Sequence, residues 1–346
     1  MASVGVAAGC QLPPSATPAV AANSPPDTAA ELSIASGATD IVPPVMAIPQ
    51  MPISRRIVWL YVISLGGLHL LALLAFVPQF FSWSGVILMG LGVHIFGQGV
   101  TLCYHRLLTH RSFVVPRWLE WSLVTTALCC LEETPGKWVS WHRLHHNHSD
   151  DPEDPHSPLV NFLWSHFGWL LLHNSTTHEF SVYNNARDIL SDPYYKFLEK
   201  HRWMTVLIYT IHAALFYAAG WLVGWSIWGV EAADQLAASW LVWGVLVRTV
   251  VMWHVTWSVN SLSHLWGYRN YETNDHSRNN WFVAVITGGE GWHNNHHHDQ
   301  ASACNQHRWW EFDVTWYEIR LLEKLGLAKN VIRPRHVRQG RAPTGS

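Results

Sequence analysis

Residues 57–104 read IVWLYVISLGGLHLLALLAFVPQFFSWSGVILMGLGVHIFGQGVTLCY and contain no Asp, Glu, Lys or Arg. A helix that crosses a bilayer needs about 20 predominantly apolar residues, so this stretch has room for two. The aromatic segment VPQFFSW (77–83) between them suits a membrane interface. A soluble fold would have to bury the whole uncharged stretch in one core. We therefore predict an integral membrane protein.

Two later apolar runs predict two more spans. A third candidate, residues 118–132, is bracketed by Glu120 and Glu132 and is too short to cross, so we expect an interfacial or buried helix there. EAADQLA (231–237) is the expected link between the third and fourth spans. The predicted fold is all-α, with two membrane hairpins and a cytoplasmic helical cap. The expected spans are about 57–77, 85–104, 204–228 and 238–259.

Basic residues predict the orientation of these spans, because Lys and Arg concentrate on the cytoplasmic side. This places both termini and the segments 105–203 and 265–346 in the cytoplasm, with the protein in a bacterial inner membrane or the endoplasmic reticulum. The residues that flank the span ends are Arg55, Arg56, Arg106, Arg111, Lys200, Arg202 and Arg269.

Composition divides the chain into a membrane domain, residues 54–330, and two tails. Residues 1–53 are rich in Ala, Pro and Ser, which predicts disorder, and no Lys or Arg precedes Arg55, so we expect no secretory signal peptide. Residues 331–346 form a basic tail.

The net charge of −2 argues against a nucleic-acid partner. The five cysteines form no CxxC pair, which argues against a disulfide framework or a zinc ribbon.

Histidines are abundant, 23 in all, and they cluster at the predicted cytoplasmic ends of the spans. Imidazole is a ligand for Fe, Zn, Cu or Ni. One zinc takes about four ligands, so the nine clustered histidines predict two metal ions. These nine are His105 and His110 in HRLLTH, His142, His145 and His146 in HRLHH, His264 in NSLSH, and His293, His296 and His297 in HNNHH.

Helical spacing supports one shared centre for most of the clustered histidines. The two HxxHH sets place three imidazoles on one helix face, and Asn260 shares a face with His264. His105 and His110 differ, because five residues turn an α-helix by about 500° and leave the two side chains roughly 140° apart. We therefore expect the second span to end near residue 104, so that the chain bends between them.

Carboxylates beside the clusters are candidates to orient the imidazoles through their second nitrogen. They are Asp150, Asp151, Asp154, Glu290 and Asp299. His148 and His298 lie beside the predicted ligands and are expected to support them indirectly or to face solvent. His156 is expected to be structural or to support a ligand, without binding metal directly.

With these motifs the chain resembles the membrane fatty-acyl desaturases of the Δ9, stearoyl-CoA type, and we expect a bacterial member. The similarity covers about residues 57–327, with the motifs in family order. The matching texts are YHRLLTHRSF, WVSWHRLHH…DPHSP…SHFGWLL, VNSLSHLWG and GEGWHNNHH…RWW.

This resemblance implies a di-iron centre held by the nine histidines, with Asn260 reaching the metals through water. It implies an O2-dependent reaction that introduces a cis double bond into a saturated acyl chain, and no haem or bound nucleotide. Electrons would come from a separate ferredoxin, cytochrome b5 or reductase. It also implies a kinked acyl tunnel whose residues here are Trp138, Thr256, Val93, Gly97 and Glu132.

Departures from the family pattern leave the acyl carrier open between coenzyme A, acyl carrier protein and an intact lipid. Acyl-CoA members carry an Arg-Asp pair before the second histidine motif, where this chain has Ser140 and Trp141. Glu132 stands where those members have Gln. Small residues at Val93 and Gly97 suggest a longer or looser tunnel.

Two other functions remain open from the sequence. A membrane hydroxylase or alkane mono-oxygenase uses similar histidine motifs, although the DPHSP, NxxxH and GEGWHNNHH texts favour a desaturase. A metal transporter or storage protein would place its ligands along a path through the membrane. Here the histidines cluster at one face, which favours an enzyme.

Overall fold

The structure is a computed structural model that describes residues 53–174, 177 and 180–339. Within this range the chain is mainly helical. The α-helices are α1 (Trp59–Ala72), α2 (Trp83–Gln98), α3 (Arg117–Leu128), α4 (Pro135–His148), α5 (Trp169–Leu171), α6 (Arg187–Leu190), α7 (Pro193–Lys200), α8 (Trp203–Trp228), α9 (Val230–Leu241), α10 (Arg248–Leu265), α11 (Trp281–Thr287), α12 (His293–His298), α13 (Val314–Lys324) and α14 (Arg335–Arg338).

Some segments are wound more widely or more tightly than an α-helix. The π-helices are Gly99–Thr109, Trp164–Gly168 and Val242–Val247, and the 3₁₀-helices are Leu73–Phe76, Pro78–Phe80 and Phe180–Ala186. A short antiparallel pair, which the sequence analysis did not predict, joins β1 (Ile53–Ile57) to β2 (Leu172–Asn174).

Among the described residues, four helices are long and apolar enough to cross a membrane, as the sequence predicts. The bounds of the second and fourth differ from the expected ones. The four spans are the first (Trp59–Phe76), the second (Trp83–Thr109), the third (Trp203–Trp228) and the fourth (Val230–Leu265).

The predicted link EAADQLA is wrong, because these residues lie inside helix α9. The third span ends instead at Gly229, whose φ of 89° is a conformation that favours glycine. Helix α9 then packs closely along α8. A Cβ on Gly220 would lie 2.9 Å from the Cα of Ala237, and one on Gly224 would lie 2.8 Å from the Cα of Ala233. Small residues of this kind let membrane helices approach closely.

Helix α3 covers most of the short apolar run, and it is too short to span a bilayer, as predicted. Its buried face packs against the Gly99–Thr109 segment in the largest apolar cluster of the described residues. Gly99 makes this close approach possible, since a Cβ there would lie 2.3 Å from the backbone nitrogen of Ala127.

Both predicted tails extend beyond the described residues, which begin at Ile53 and end at Gln339. The described part of the C-terminal tail contacts the rest of the fold. The Ile332 N–H donates to the Ser112 carbonyl at 2.8 Å, and Arg333 pairs with Glu323 at 2.7 Å. The four described cysteines are buried and form no disulfide with one another.

Candidate metal centre

The end of the second span brings His105 and His110 to one face, because its last turns form a π-helix. The expectation that this helix ends near residue 104 is wrong, since Gly99–Thr109 continues it. In a π-helix the N–H of one residue bonds the carbonyl five residues earlier. The His110 N–H donates to the His105 carbonyl at 3.1 Å, and the two rings lie 4.8 Å apart. The H-x4-H spacing therefore fits a widened turn without any break.

Five of the nine histidines form one cluster, which we call the five-histidine cluster. Their ligand nitrogens lie within 4.8 Å of one another. His296 is at the middle, with its Nε2 3.1 Å from that of His105 and 3.0 Å from that of His146. The members are His105, His110, His142, His146 and His296.

The other four histidines form a second group, the four-histidine cluster, in which all rings are buried. His293 lies at its middle, with its Nε2 3.1 Å from that of His264 and 3.0 Å from that of His297. His145 completes the group. In the sequence of helix α4 it lies between His142 and His146, which belong to the five-histidine cluster. Helices α4 and α12 thus each contribute to both clusters.

Carboxylates hold three imidazoles of the four-histidine cluster by their Nδ1 atoms. His145 Nδ1 lies 3.0 Å from Asp154, and His264 Nδ1 lies 3.0 Å from Asp150. His297 Nδ1 lies 2.6 Å from Asp275. An imidazole that donates its Nδ1 proton to a carboxylate presents a lone pair at Nε2, as metal ligands do.

The five-histidine cluster has one such carboxylate among the described residues. Glu290 lies 2.9 Å from His105 Nδ1, and it also accepts from the buried guanidinium of Arg106 at 2.8 Å. Asp313 pairs with the other side of the same guanidinium at 2.9 Å. Glu290 is therefore shared between an imidazole and a cation.

The facing nitrogens fit metal ions. In the four-histidine cluster, His264 and His297 both donate through Nδ1, so their Nε2 lone pairs point at the same nitrogen of His293. Buried Nε2 atoms of His110 and His145 have no hydrogen-bond partner among the described residues. A proton on the His293 nitrogen can bond only one of these two lone pairs, so a cation between the facing nitrogens satisfies the set better. Two all-imidazole clusters of this kind suit iron, zinc, copper or nickel.

Burial keeps most of these imidazoles neutral, which metal binding requires. Desolvation and the neighbouring histidines lower the pKa of His142, His146, His293 and His296 well below the usual value. Burial also lowers the pKa of His297, to about 4, although Asp275 partly opposes it.

The supporting carboxylates stay charged for the opposite reason. Burial alone would raise the pKa of Glu290, but the charge of Arg106 and the contact with His105 lower it to about 2. His264 likewise outweighs burial and lowers the pKa of Asp150, and His297 does so for Asp275.

The predicted carboxylate partners are confirmed at three positions, Asp150, Asp154 and Glu290. Asp299 pairs instead with Arg338 at 2.8 Å, and Asp151 is exposed. Sequence analysis missed Asp275, because it lies in the irregular segment after α10, about twenty residues before His297. No spacing rule connects the two.

The neighbouring histidines lie outside the two histidine clusters, and His156 forms a further candidate metal group with His145 and Asp154. His156 is buried, with its ring 4.5 Å from that of His145 and its Nδ1 3.7 Å from Asp154. His298 stacks on Tyr271 at 3.8 Å, and His148 is half-buried at the end of α4.

A cavity of about 280 Å³ runs beside the histidines. Three of the five predicted tunnel residues, Trp138, Thr256 and Glu132, line it together with His142 and Asn260. The Thr256 hydroxyl donates to Glu132 at 2.7 Å. Asn260 shares helix α10 with His264, and its water-mediated role stays a prediction.

Val93 and Gly97 do not line this cavity. They lie in a neighbouring apolar cluster around Met252, whose sulfur would be 3.3 Å from a Cβ on Gly97. Trp138 packs against the same cluster and also lines the cavity. The role of Val93 and Gly97 at a tunnel end stays a prediction.

Known proteins are similar in sequence to this chain over most of its length. The family model for fatty acid desaturase matches residues 78–327. An sn-1 stearoyl-lipid 9-desaturase of Anabaena variabilis is 43% identical over 280 residues, which cover 80% of this chain and 94% of that protein. A protein of the same name from Synechocystis is 40% identical over 277 residues, 80% of each chain. An acyl-CoA 5-desaturase of Anemone leveillei is 40% identical over 300 residues, 84% of this chain and 87% of that one.

Proposed function

The chain belongs to the fatty acid desaturase family, and from that premise we propose that it introduces a cis Δ9 double bond into saturated acyl chains, using O2 and two iron ions. As a family member it is an oxidoreductase that desaturates fatty acyl chains. The observation that carries the finer proposal is the pair of all-imidazole clusters, together with an apolar cavity whose wall contains His142 of the five-histidine cluster. The nine clustered histidines would hold the irons, with Asn260 acting through water.

The reaction needs a redox centre, because no side chain can remove hydrogen from an unactivated CH₂ group. Bound iron would supply the chemistry with O2 that takes one hydrogen from each of two adjacent carbons. The balance is one O2, two electrons and two protons consumed for each double bond and two waters formed. The electrons would come from a separate ferredoxin, cytochrome b5 or reductase.

The protein's own contribution is to position the acyl chain. Trp138 lies beside His142, with ring centroids 4.9 Å apart, and Thr256 lies across the same cavity on α10. A chain lying between them would pass the five-histidine cluster with its carbons fixed in register. The apolar lining excludes water from the reacting carbons. A tunnel end near Val93 and Gly97 would set the chain length.

We propose an acyl-lipid as the substrate, rather than acyl-CoA. Ser140 and Trp141, where the family's acyl-CoA members have a charged pair, are both buried. The Trp141 indole donates to the Thr177 carbonyl, so neither of these two positions offers a charged side chain to a coenzyme A phosphate. The Anabaena and Synechocystis relatives are named stearoyl-lipid enzymes.

The membrane arrangement that we propose has two hairpins, with the histidine clusters and both termini in the cytoplasm. The desaturase domain would be residues 54–330, flanked by tails 1–53 and 331–346. Basic residues at the span ends support this orientation.

A fatty-acid profile tests the activity. The chain and its His145→Ala variant are expressed in a host that lacks its own desaturase, and the products are identified by gas chromatography and mass spectrometry with double-bond localisation. We expect a Δ9 monoene from the unmutated chain alone. His148→Ala, on the same helix but outside both clusters, is the matched control and should retain activity.

Other products would change the conclusion. A hydroxylated acid would make the protein a mono-oxygenase, and a double bond elsewhere would correct the Δ9 position. No product with a competent electron donor present would refute the desaturase proposal.

A further inference from the structure

The cavity beside the histidines reaches the outer surface of the first and third spans. At its inner end it is lined by His142 and Asn260. At its outer end it is lined by Leu60 and Ser64 of the first span and by Val206 of the third. Leu60 is 74% exposed and Val206 is 62% exposed. In a membrane, these side chains face lipid.

This opening lies at the depth of the membrane interface. Its lining residues belong to the first turns of the two spans, which start at Trp59 and Trp203. Both tryptophans are about 60% exposed, at 62% and 60%. Exposed tryptophans concentrate at the level of the lipid head groups. The ester bonds of a glycerolipid lie at the same level, so its acyl chain could enter without the lipid leaving the bilayer.

The polar groups at the opening neutralise one another. The Lys137 ammonium donates to the Tyr61 hydroxyl at 2.6 Å and lies 3.4 Å from Glu133. Arg202 pairs with the same carboxylate at 2.5 Å, and its Nε lies 3.6 Å from Glu199. Two cations thus face two carboxylates. Coenzyme A, with several charged phosphates, would find no excess positive charge here.

We propose that the cavity opens sideways into the bilayer between the first and third spans, and that it admits the acyl chain of a membrane glycerolipid whose ester and head group remain at the interface beside Arg202. This inference rests on the proposed function and adds the route and the carrier. The apolar outer lining accepts the chain, and the neutral polar network meets the uncharged glycerol backbone.

Bulky side chains at the opening test the route. Ser64→Trp and Val206→Trp narrow it from opposite sides and are distant in sequence from the nine clustered histidines. We expect each to lower desaturation at least about tenfold, since the reacting carbons no longer reach the centre. Ile63→Trp and Leu207→Trp are the matched controls. Ile63 and Leu207 are exposed neighbours on the same helices, but they do not line the cavity.

Iron content and monoene yield are measured for all four variants. Loss of product in the two opening variants, with iron retained and with both controls active, supports the lateral route. Opening variants as active as their controls would overturn it and leave the desaturase function intact. An unmutated chain that makes no monoene would instead refute the proposed function.

A second experiment tests the carrier. Purified iron-loaded protein is placed in vesicles of phosphatidylglycerol with deuterated stearoyl chains, or is given deuterated stearoyl-CoA in unlabelled vesicles. The electron donor is one that supports activity in membranes. We expect the double bond in intact lipid, with a tenfold loss in Ser64→Trp. Faster conversion of stearoyl-CoA, unchanged in Ser64→Trp, would overturn the proposal.

Discussion

The four-histidine cluster and the five-histidine cluster use the same side chain but fix it by different means. In the first, three imidazoles have a carboxylate behind them, at Asp150, Asp154 and Asp275. In the five-histidine cluster, among the described residues, one imidazole, that of His105, has a carboxylate beside its Nδ1. This carboxylate, Glu290, also forms a salt bridge with Arg106. The orientation of His105 and His110 depends on the backbone instead, since the π-helix places both side chains on one face.

This difference has a chemical consequence. A carboxylate on Nδ1 fixes the ring and raises the basicity of the ligating nitrogen. The four-histidine cluster should therefore hold its ion more tightly. The five-histidine cluster has one more imidazole but less support for each, so its ion should be lost first.

Removal of one ligand from each cluster is the largest expected effect. His293→Ala and His296→Ala take away the histidine at the middle of the respective cluster. Each should lower monoene yield at least about 100-fold, which exceeds the loss expected from a supporting residue. Iron content per protein, together with Mössbauer spectra of ⁵⁷Fe-loaded protein, should show His296→Ala retaining more iron. Full activity in either variant would exclude that cluster from the centre.

Loss of carboxylate charge should have the next largest effect. In Asp150→Asn and Asp275→Asn the amide oxygen can still accept from Nδ1, but it carries no charge. Iron affinity should fall about 10- to 100-fold. Asp299→Asn is the control, because Asp299 pairs with Arg338 and not with an imidazole. Equal iron binding in all three variants would contradict the role given to the carboxylates.

Much of this centre could be predicted from sequence, because local spacing carries it. The HxxHH motifs place their imidazoles on one face of α4 and one face of α12, and the structure joins them. Lengths of apolar runs gave the four candidate spans. Both properties depend on neighbours within a few residues along one helix.

The remaining features depend on tertiary contacts or on a choice between helix types. Hydrogen bonding decides whether His105 and His110 share a face, and sequence does not separate a π-helix from a bent α-helix. Asp275 reaches His297 through an irregular segment that no periodicity describes. Gly229 ends the third span, although the polar run that follows it resembles a link.

A smaller effect should follow from loosening the π-helix. The buried Thr109 hydroxyl donates to the Tyr104 carbonyl at 2.8 Å, next to His110. Thr109→Val removes this bond and leaves a buried acceptor with less support, at about 1–3 kcal/mol. We expect a several-fold loss of iron and activity. Thr125→Val, at an exposed threonine that bonds the Trp121 carbonyl, is the matched control. Equal iron content and activity in Thr109→Val and Thr125→Val would show that this backbone contact does not contribute to iron binding and that the carboxylates decide it.

The smallest effect concerns Glu132, which lines the same cavity as His142 of the five-histidine cluster. Burial raises the pKa of this carboxyl to about 8, although hydrogen bonds from Thr256 and Trp138 oppose the shift. At pH 7 the group is therefore mostly neutral. Above about pH 8 it ionises, and a charge in an apolar cavity disfavours the acyl chain. The apparent KM for the acyl substrate should therefore rise above that pH.

Glu132→Gln carries no charge at any pH, so it should remove this alkaline rise in KM while changing activity at pH 7 by less than about threefold, within the effect of one neutral hydrogen bond. Glu272→Gln is the control, since Glu272 is 97% exposed and should keep the rise. An alkaline rise that persists in Glu132→Gln would assign it to another group. Because metal-bound imidazoles do not titrate in this range, loss of the rise would assign the titration to Glu132 in the cavity.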